Sequence, residues 1–247
     1  PTTFVKKTFE ATGACRTPII VVPESYPDCF RSSPKAVDFG IEPNFNFLVV
    51  GQFTGTSPET ERKRVRDTVR WLCEQFDGDE SVGIVVKTNM GRNTKIDRNV
   101  CISAIREIVN SSRKSEFPRI KLVHGSLSDD EMHSLYCDPK IGAFVLPTRG
   151  EGFGLPVLEA AVAGLPVMVT NWSGHLDFMG RGRFIKLDYV LSELPPERLD
   201  RRPPNEERHA IFVQGARWAN VLEYDFKRKV TKGIGNNIGL SLHKNTV

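Results

Sequence analysis

Two glutamates, Glu151 and Glu159, stand eight positions apart in IGAFVLPTRGEGFGLPVLEAAVAGLPVMVTNWSGHLD, residues 141–177. A carboxylate only accepts hydrogen bonds, so a pair of them suits a ligand rich in hydroxyl donors, such as a sugar or a ribose. The first of them sits in Gly150-Glu151-Gly152-Phe153-Gly154, with glycine at every second position. Glycine lets a ligand come close to the backbone. The loop runs into a helix start, whose unpaired N–H groups and partial positive charge favour a phosphate. Hydroxyl acceptors and an anion site at one mouth of a sheet suit a ligand that carries both hydroxyls and phosphates.

The flanking residues supply the elements that must hold these groups. Ala143–Leu146 reads as a buried strand closed by Pro147, which cannot donate to a ladder. Pro156 suits the first turn of a helix whose apolar face is carried by Leu155, Leu158 and Val162. Gly164 and Pro166 end that helix, and Val167–Thr170 forms the next strand. An ordinary crossover with two solvated glutamates is the competing reading, and for a bare glycine pattern it wins. Here strand, loop, helix and strand follow in the order a ligand site needs.

EGFGLPVLEA followed by GLPV and Ser173-Gly174 resembles the signature of the retaining glycosyltransferases of family 4. Their GT-B architecture pairs two Rossmann-like domains. The resemblance implies that Glu151 and the backbone of Gly152, Phe153 and Gly154 read a donor hexose. It further implies that Glu159 accepts from ribose hydroxyls, with Leu155 beside the diphosphate. Arg62-Lys63 is similar to the family pair whose lysine contacts the diphosphate, and Gly51 to the glycine turn after the first strand. Lys87 and Gly125 (in LVHGSLSDDEM) also match the donor-binding pattern in kind. Lys63 and Glu151 are thereby the catalytic candidates. Two positions depart from the family: Gln52 stands where Arg is common, and Asp177 where Glu is common. The nucleoside-diphosphate sugar, with uridine or guanosine among the candidate bases, is a substrate, and no cofactor or metal is expected.

Strand and helix alternate along most of the chain, which predicts an α/β fold: a Rossmann-like parallel sheet with helices on both faces, one half of a GT-B fold. Strands are expected at Ile19–Val22, Phe47–Gly51, Gly83–Lys87, Ile120–His124, Ala143–Leu146 and Val167–Thr170. Helices are expected near Glu59–Phe76, Arg98–Ser111, Asp129–Cys137, Leu155–Ala163 and Glu206–Lys229. Ser128 with Glu131 forms a capping-box pattern. The resemblance divides the chain into an inter-domain crossing (1–24), the nucleotide-sugar-binding domain (25–190) and a C-terminal loop and helical extension (191–247). It places the acceptor-binding N-terminal domain outside this chain, which is then the inactive donor half of a retaining hexosyltransferase. The alternative is a nucleotide-sugar-binding module without turnover.

Composition narrows the remaining classes. Of the 247 residues 39% are hydrophobic, enough for a sizeable core, and the net charge is +4. The basic run ERKRVRDTVR is interleaved with acids and lacks a stacking platform, so no nucleic-acid partner is expected. Five scattered cysteines without a C-x-x-C point to reduced thiols and a cytoplasmic setting. Asp77-Gly78-Asp79 falls between a helix and a strand and reads as an acidic turn rather than a manganese site. His124 and His175 rank as secondary candidates. The amphipathic, partly basic stretch Trp218–Lys229 is suited to pack on an acceptor domain or a membrane surface. A dinucleotide oxidoreductase is disfavoured because Phe47–Gly55 lacks the G-x-G-x-x-G fingerprint.

Overall fold

The computed structural model describes residues 1–43, 45–54, 57–194 and 215–235. Its centre is a six-stranded, wholly parallel sheet in the order β3-β2-β1-β4-β5-β6. The strands are β1 (Phe45–Val50), β2 (Val82–Thr88), β3 (Arg119–His124), β4 (Ile141–Leu146), β5 (Val167–Thr170) and β6 (Ile185–Leu187). Strand β1 is nearly all apolar because both of its faces are covered. Phe47 and Val49 point into one core, and Leu48 and Val50 into the other. Each such side chain withdrawn from water contributes roughly 1.5–3 kcal/mol.

Helices α2 (Val65–Gln75), α3 (Lys95–Ser112) and α7 (Glu223–Gly235) cover the first face. Helices α4 (Asp129–Tyr136) and α5 (Leu155–Val162) cover the second. This is the Rossmann-like α/β class expected from the sequence. The Ser128–Glu131 capping box forms at the start of α4. Strand order reverses between β1 and β4, and the crevice beyond their carboxyl ends is where such sheets place ligands.

Four expectations need correction. Ile19–Val22 is not a strand: Pro18 and Pro23 bracket it, no ladder receives it, and Ile20 and Val22 are 81% and 71% exposed. The helix expected from Glu59 begins only at Val65, after a 3₁₀ turn at Pro58–Thr60 and a left-handed Arg64 with φ 55°. The helix expected at Glu206–Lys229 falls partly outside the described residues. Its described part is a strand, β8 (Arg217–Val221), followed by α7. Strand β8 pairs antiparallel with β7 (Tyr189–Glu193), outside the main sheet. The apolar face offered to a membrane or an acceptor domain is consumed internally, since Phe226 and Val230 are both 0% exposed in the core against α2.

Helix α1 (Thr3–Ala11) and the short α6 (Leu176–Met179) carry no expectation from the sequence. The irregular connection read at Leu194–Pro204 lies almost wholly outside the described residues. Among those residues, no helix is long and apolar enough to cross a membrane.

Candidate functional site

The loop after β4 carries Glu151 to the crevice, and the segment before α2 carries Arg62 and Lys63 to meet it. Lys63 Nζ donates to Glu151 Oε1 at 2.7 Å, and Arg62 Nη1 lies 3.2 Å from Glu151 Oε2. Thr148 Oγ1 also donates to Oε1, at 2.7 Å. From the main chain, Glu151 N donates to Ser173 Oγ at 3.0 Å and Gly174 N to Glu151 O at 3.0 Å. A Cβ on Gly174 would run into the Gly152 carbonyl, so this approach requires glycine there.

Glu151 is 7% exposed. Burial alone would raise its carboxyl pKa, but Lys63 and Arg62 beside it, with the bonds from Lys63 and Thr148, hold it below the usual carboxylate range. Burial draws the Lys63 ammonium down, against the pull of Glu151. The result is a compact knot of two cations around one ionised carboxylate.

Gly51, Arg62, Lys63 and Lys87 line a single cavity of about 310 Å³, together with Gln52 and Pro156. Two formal charges at its wall come from Arg62 and Lys63, and a third comes from Lys87. Burial lowers the pKa of Lys87, whose Nζ donates to Gly125 O at 2.5 Å. Gln52, where the resembled family commonly has Arg, lines the same cavity without a charge.

Gly154 takes φ 100° as the N-cap of α5, a conformation that favours glycine. Helix α5 offers less than a free helix start would. Pro156 has no amide N–H, and Val157 N and Leu158 N both donate to Gly154 O. The Leu155 amide is the first-turn donor left without an acceptor among the described residues. Phe153 does not line the Lys63 cavity; it packs at 5.1 Å from Phe178 beside a second cavity of about 530 Å³.

Glu159 sits apart from Glu151. Its Oε2 accepts from Tyr136 Oη of α4 at 3.0 Å. Burial, against that hydrogen bond and with help from Asp129, raises its carboxyl pKa. The structure therefore joins Glu151 with Lys63 and Arg62, and leaves Glu159 half-buried at another rim.

Among the described residues, Asp97, Cys101 and His124 place one donor atom each within 4.8 Å of one another. The Asp97 carboxylate is already filled by the Met90 and Arg92 amides and by His124 Nε2 at 2.7 Å. Burial, with Asp97 beside it, pushes the Cys101 thiol up to about 11. The group acts as a clasp that holds the loop 89–94 to β3. His175 is 0% exposed and bonded to Thr170 O. Burial lowers its pKa, which suits a structural histidine. Asp77 accepts from the Lys114 and Ser115 amides as a turn anchor. Asp177 accepts from Thr3 N at 2.5 Å, tying α1 to α6, and Thr2 Oγ1 donates to Gly152 O at 2.7 Å, tying the same segment to the site loop.

Thr148, Arg149 and Ser173 support the site, and sequence reasoning gave none of them a role. The hydroxyl beside a loop glutamate, Thr148, is the one legible signal.

Fold and site together define a Rossmann-like α/β domain with a cationic crevice at its topological switch point. Residues 111–185 match the family model described as "Glycosyl transferases group 1". The match includes Glu151–Leu155 and Glu159. The chain is 36% identical over 117 residues to a sucrose synthase of Melioribacter roseus, a stretch that is 46% of this chain and 14% of that protein. It thus spans only a small part of that relative's length. Among solved structures it is similar to the lipopolysaccharide outer core galactosyltransferase WaaB, at 16% identity and TM-score 0.45, covering 95% of this chain and 52% of that one. It is also similar to the C-terminal domain of a glycosyl transferase group 1 family protein, LpcC, from Francisella tularensis. That likeness has 14% identity and TM-score 0.42, covering 82% of this chain and 87% of that one.

Proposed function

We propose that this chain is the donor-binding domain of a GT-B glycosyltransferase, which takes a nucleoside-diphosphate sugar and transfers the hexose to an acceptor hydroxyl with its configuration retained. One observation carries the reading: Lys63 and Arg62 converge on Glu151 beside the crevice at the switch point. The family match and the sucrose synthase likeness support glycosyl transfer as the chemistry.

In this reading Arg62, Lys63 and the Leu155 amide face the diphosphate and stabilise the charge that grows on it as the glycosidic bond breaks. Glu151 accepts from hexose hydroxyls and orients the ring, while Glu159 accepts from the ribose. The departing diphosphate takes the proton of the incoming hydroxyl on the same face of the sugar. The acceptor surface belongs to a partner domain. No metal is needed where two cations already meet the diphosphate.

A thermal-shift screen with UDP, GDP, ADP and their hexose conjugates, with and without manganese, tests this. A ligand bound only by the native state stabilises it by linkage, by about 2.7 kcal/mol at a hundred times its Kd, and so raises Tm. The expected result is a metal-independent shift with one nucleotide. No shift with any of them sinks the reading.

A further inference from the structure

Arg149 is 6% exposed and joins three separate segments. Its Nη1 donates to Pro58 O at 2.8 Å and to Glu61 O at 2.6 Å, both in the segment that delivers Arg62 and Lys63. Its Nε donates to Asn220 Oδ1 at 2.7 Å on β8, and its guanidinium lies 5.2 Å from the Trp218 ring centroid. Its own backbone completes the bridge, with Arg149 N donating to Arg62 O at 2.9 Å and Ala219 N donating to Arg149 O at 3.1 Å. Two residues further on is Glu151.

Those acceptors explain why α2 starts late. The carbonyls of Glu61 and Arg62 are taken by Arg149 rather than by following helical amides, and the Pro58 carbonyl is shared between Arg149 and the Glu61 amide of the 3₁₀ turn. The 58–63 segment is thereby held across the crevice mouth, with Lys63 turned back to Glu151.

We infer that Arg149 is a positioning residue that sets the cation pair against Glu151, and that it does so by anchoring both to β8, making the C-terminal strand pair part of the donor site's scaffold. The inference deepens the proposed function and rests on it where nucleotide affinity is read. A planar guanidinium serves three acceptors at once. A lysine ammonium carries the charge but not the fork.

The test compares wild type, R149Q, R149K, N220L and the R149Q/N220L double variant, with the nucleoside diphosphate chosen by the thermal-shift screen as probe. Calorimetric affinity and hydrogen exchange of the 58–64 segment are both read, with circular dichroism and Tm as folding controls. R149Q and R149K should each lose about tenfold or more in affinity while folded, which corresponds to about 1.4 kcal/mol. N220L should lose in the same direction, and the double variant should be no worse than R149Q, since coupled residues do not add. Exchange at 58–64 should rise in all of them.

A folded R149Q that binds like wild type with unchanged exchange overturns the inference. Rescue by R149K, or fully additive losses in the double variant, also overturns it. If wild type binds no nucleotide, the proposed function fails while exchange still decides Arg149: a rise at 58–64 supports it and no change refutes it. If R149Q does not fold, N220L carries the same two readouts.

Discussion

Glu151 and Glu159 share a residue type and one short loop-helix unit, yet their surroundings are opposite. Glu151 is 7% exposed and enclosed by Lys63, Arg62 and Thr148. Glu159 is half-buried and has a phenol, Tyr136 Oη, as its hydrogen-bond partner. Neighbouring cations push one carboxyl pKa down, and burial pushes the other up. The difference shows how one motif yields two electrostatic environments. The first carboxylate is a rigid anion built into a charge knot, and the second has lone pairs left over for a hydroxyl.

The largest effect should follow from breaking the knot. Lys63→Ala leaves a buried carboxylate with only its weaker, half-exposed cation, and removing one partner of a buried pair costs about 3–5 kcal/mol. A loss near 3 kcal/mol corresponds to roughly 6–12 °C in Tm for a chain of this size. The K63A/E151Q double variant should recover most of it, since the buried carboxylate charge is then gone and the Arg62 guanidinium, 38% exposed, keeps Gly150 O and water as acceptors. A thermal melt of the three proteins checks both statements.

A third carboxyl extends the contrast. Glu61 is 0% exposed, accepts from Arg66 N at 2.9 Å, and its Oε1 has no partner among the described residues. Burial raises its pKa to about 7, against the pull of the Arg66 amide and guanidinium. The folded state thus keeps a proton that the unfolded chain has lost above pH 4.5. Stability contributed by Glu61 is full below that point and declines as pH rises to about 7, by on the order of 3 kcal/mol at about 1.36 kcal/mol per pKa unit. Glu61→Gln should flatten this decline and stabilise the protein near pH 8, measured as the denaturation midpoint across pH 5–8. An unchanged slope removes Glu61 as its source.

At the other rim, Glu159→Gln keeps an acceptor for Tyr136 and should change stability by less than about 1 kcal/mol. Its effect should appear in binding. Affinity for the nucleoside diphosphate falls about tenfold with the loss of a charged acceptor, while inorganic pyrophosphate binds as before. Titration calorimetry with both probes separates the ribose end from the phosphate end. Equal affinity for the nucleotide in the variant contradicts the ribose assignment.

The two rims also differ in how far they could be read from sequence. Strand β5 falls on its expected residues because Gly164 and Pro166 punctuate its entry, and Ser128–Glu131 marks the start of α4. Five strands of the parallel sheet were legible, the central ones as apolar runs between helical periods, whereas the three-residue edge strand β6, Ile185-Lys186-Leu187, was too short and too polar to be read. Tertiary hydrogen bonds are invisible to such patterns. Nothing local reveals that Lys63 and Glu151, far apart in sequence, form one ion pair, or that Arg149 takes the carbonyls of Glu61 and Arg62 and delays α2. Trp218 and Val221 stand at a helical spacing, but a hairpin partner and the Arg149 carbonyl draw them into β8. Ile19–Val22 shows the reverse, an apolar run with strand chemistry and no ladder to join.

The central claim is that Glu151, held by the cations that face the diphosphate, is the group that reads the sugar. Its most direct test is calorimetric titration of wild type and E151Q with the preferred nucleoside diphosphate and with its hexose conjugate. The account predicts that E151Q binds the bare nucleotide at least as well as wild type, because Lys63 and Arg62 are released, and loses the added affinity for the conjugate. Wild-type affinity of E151Q for both ligands would contradict it.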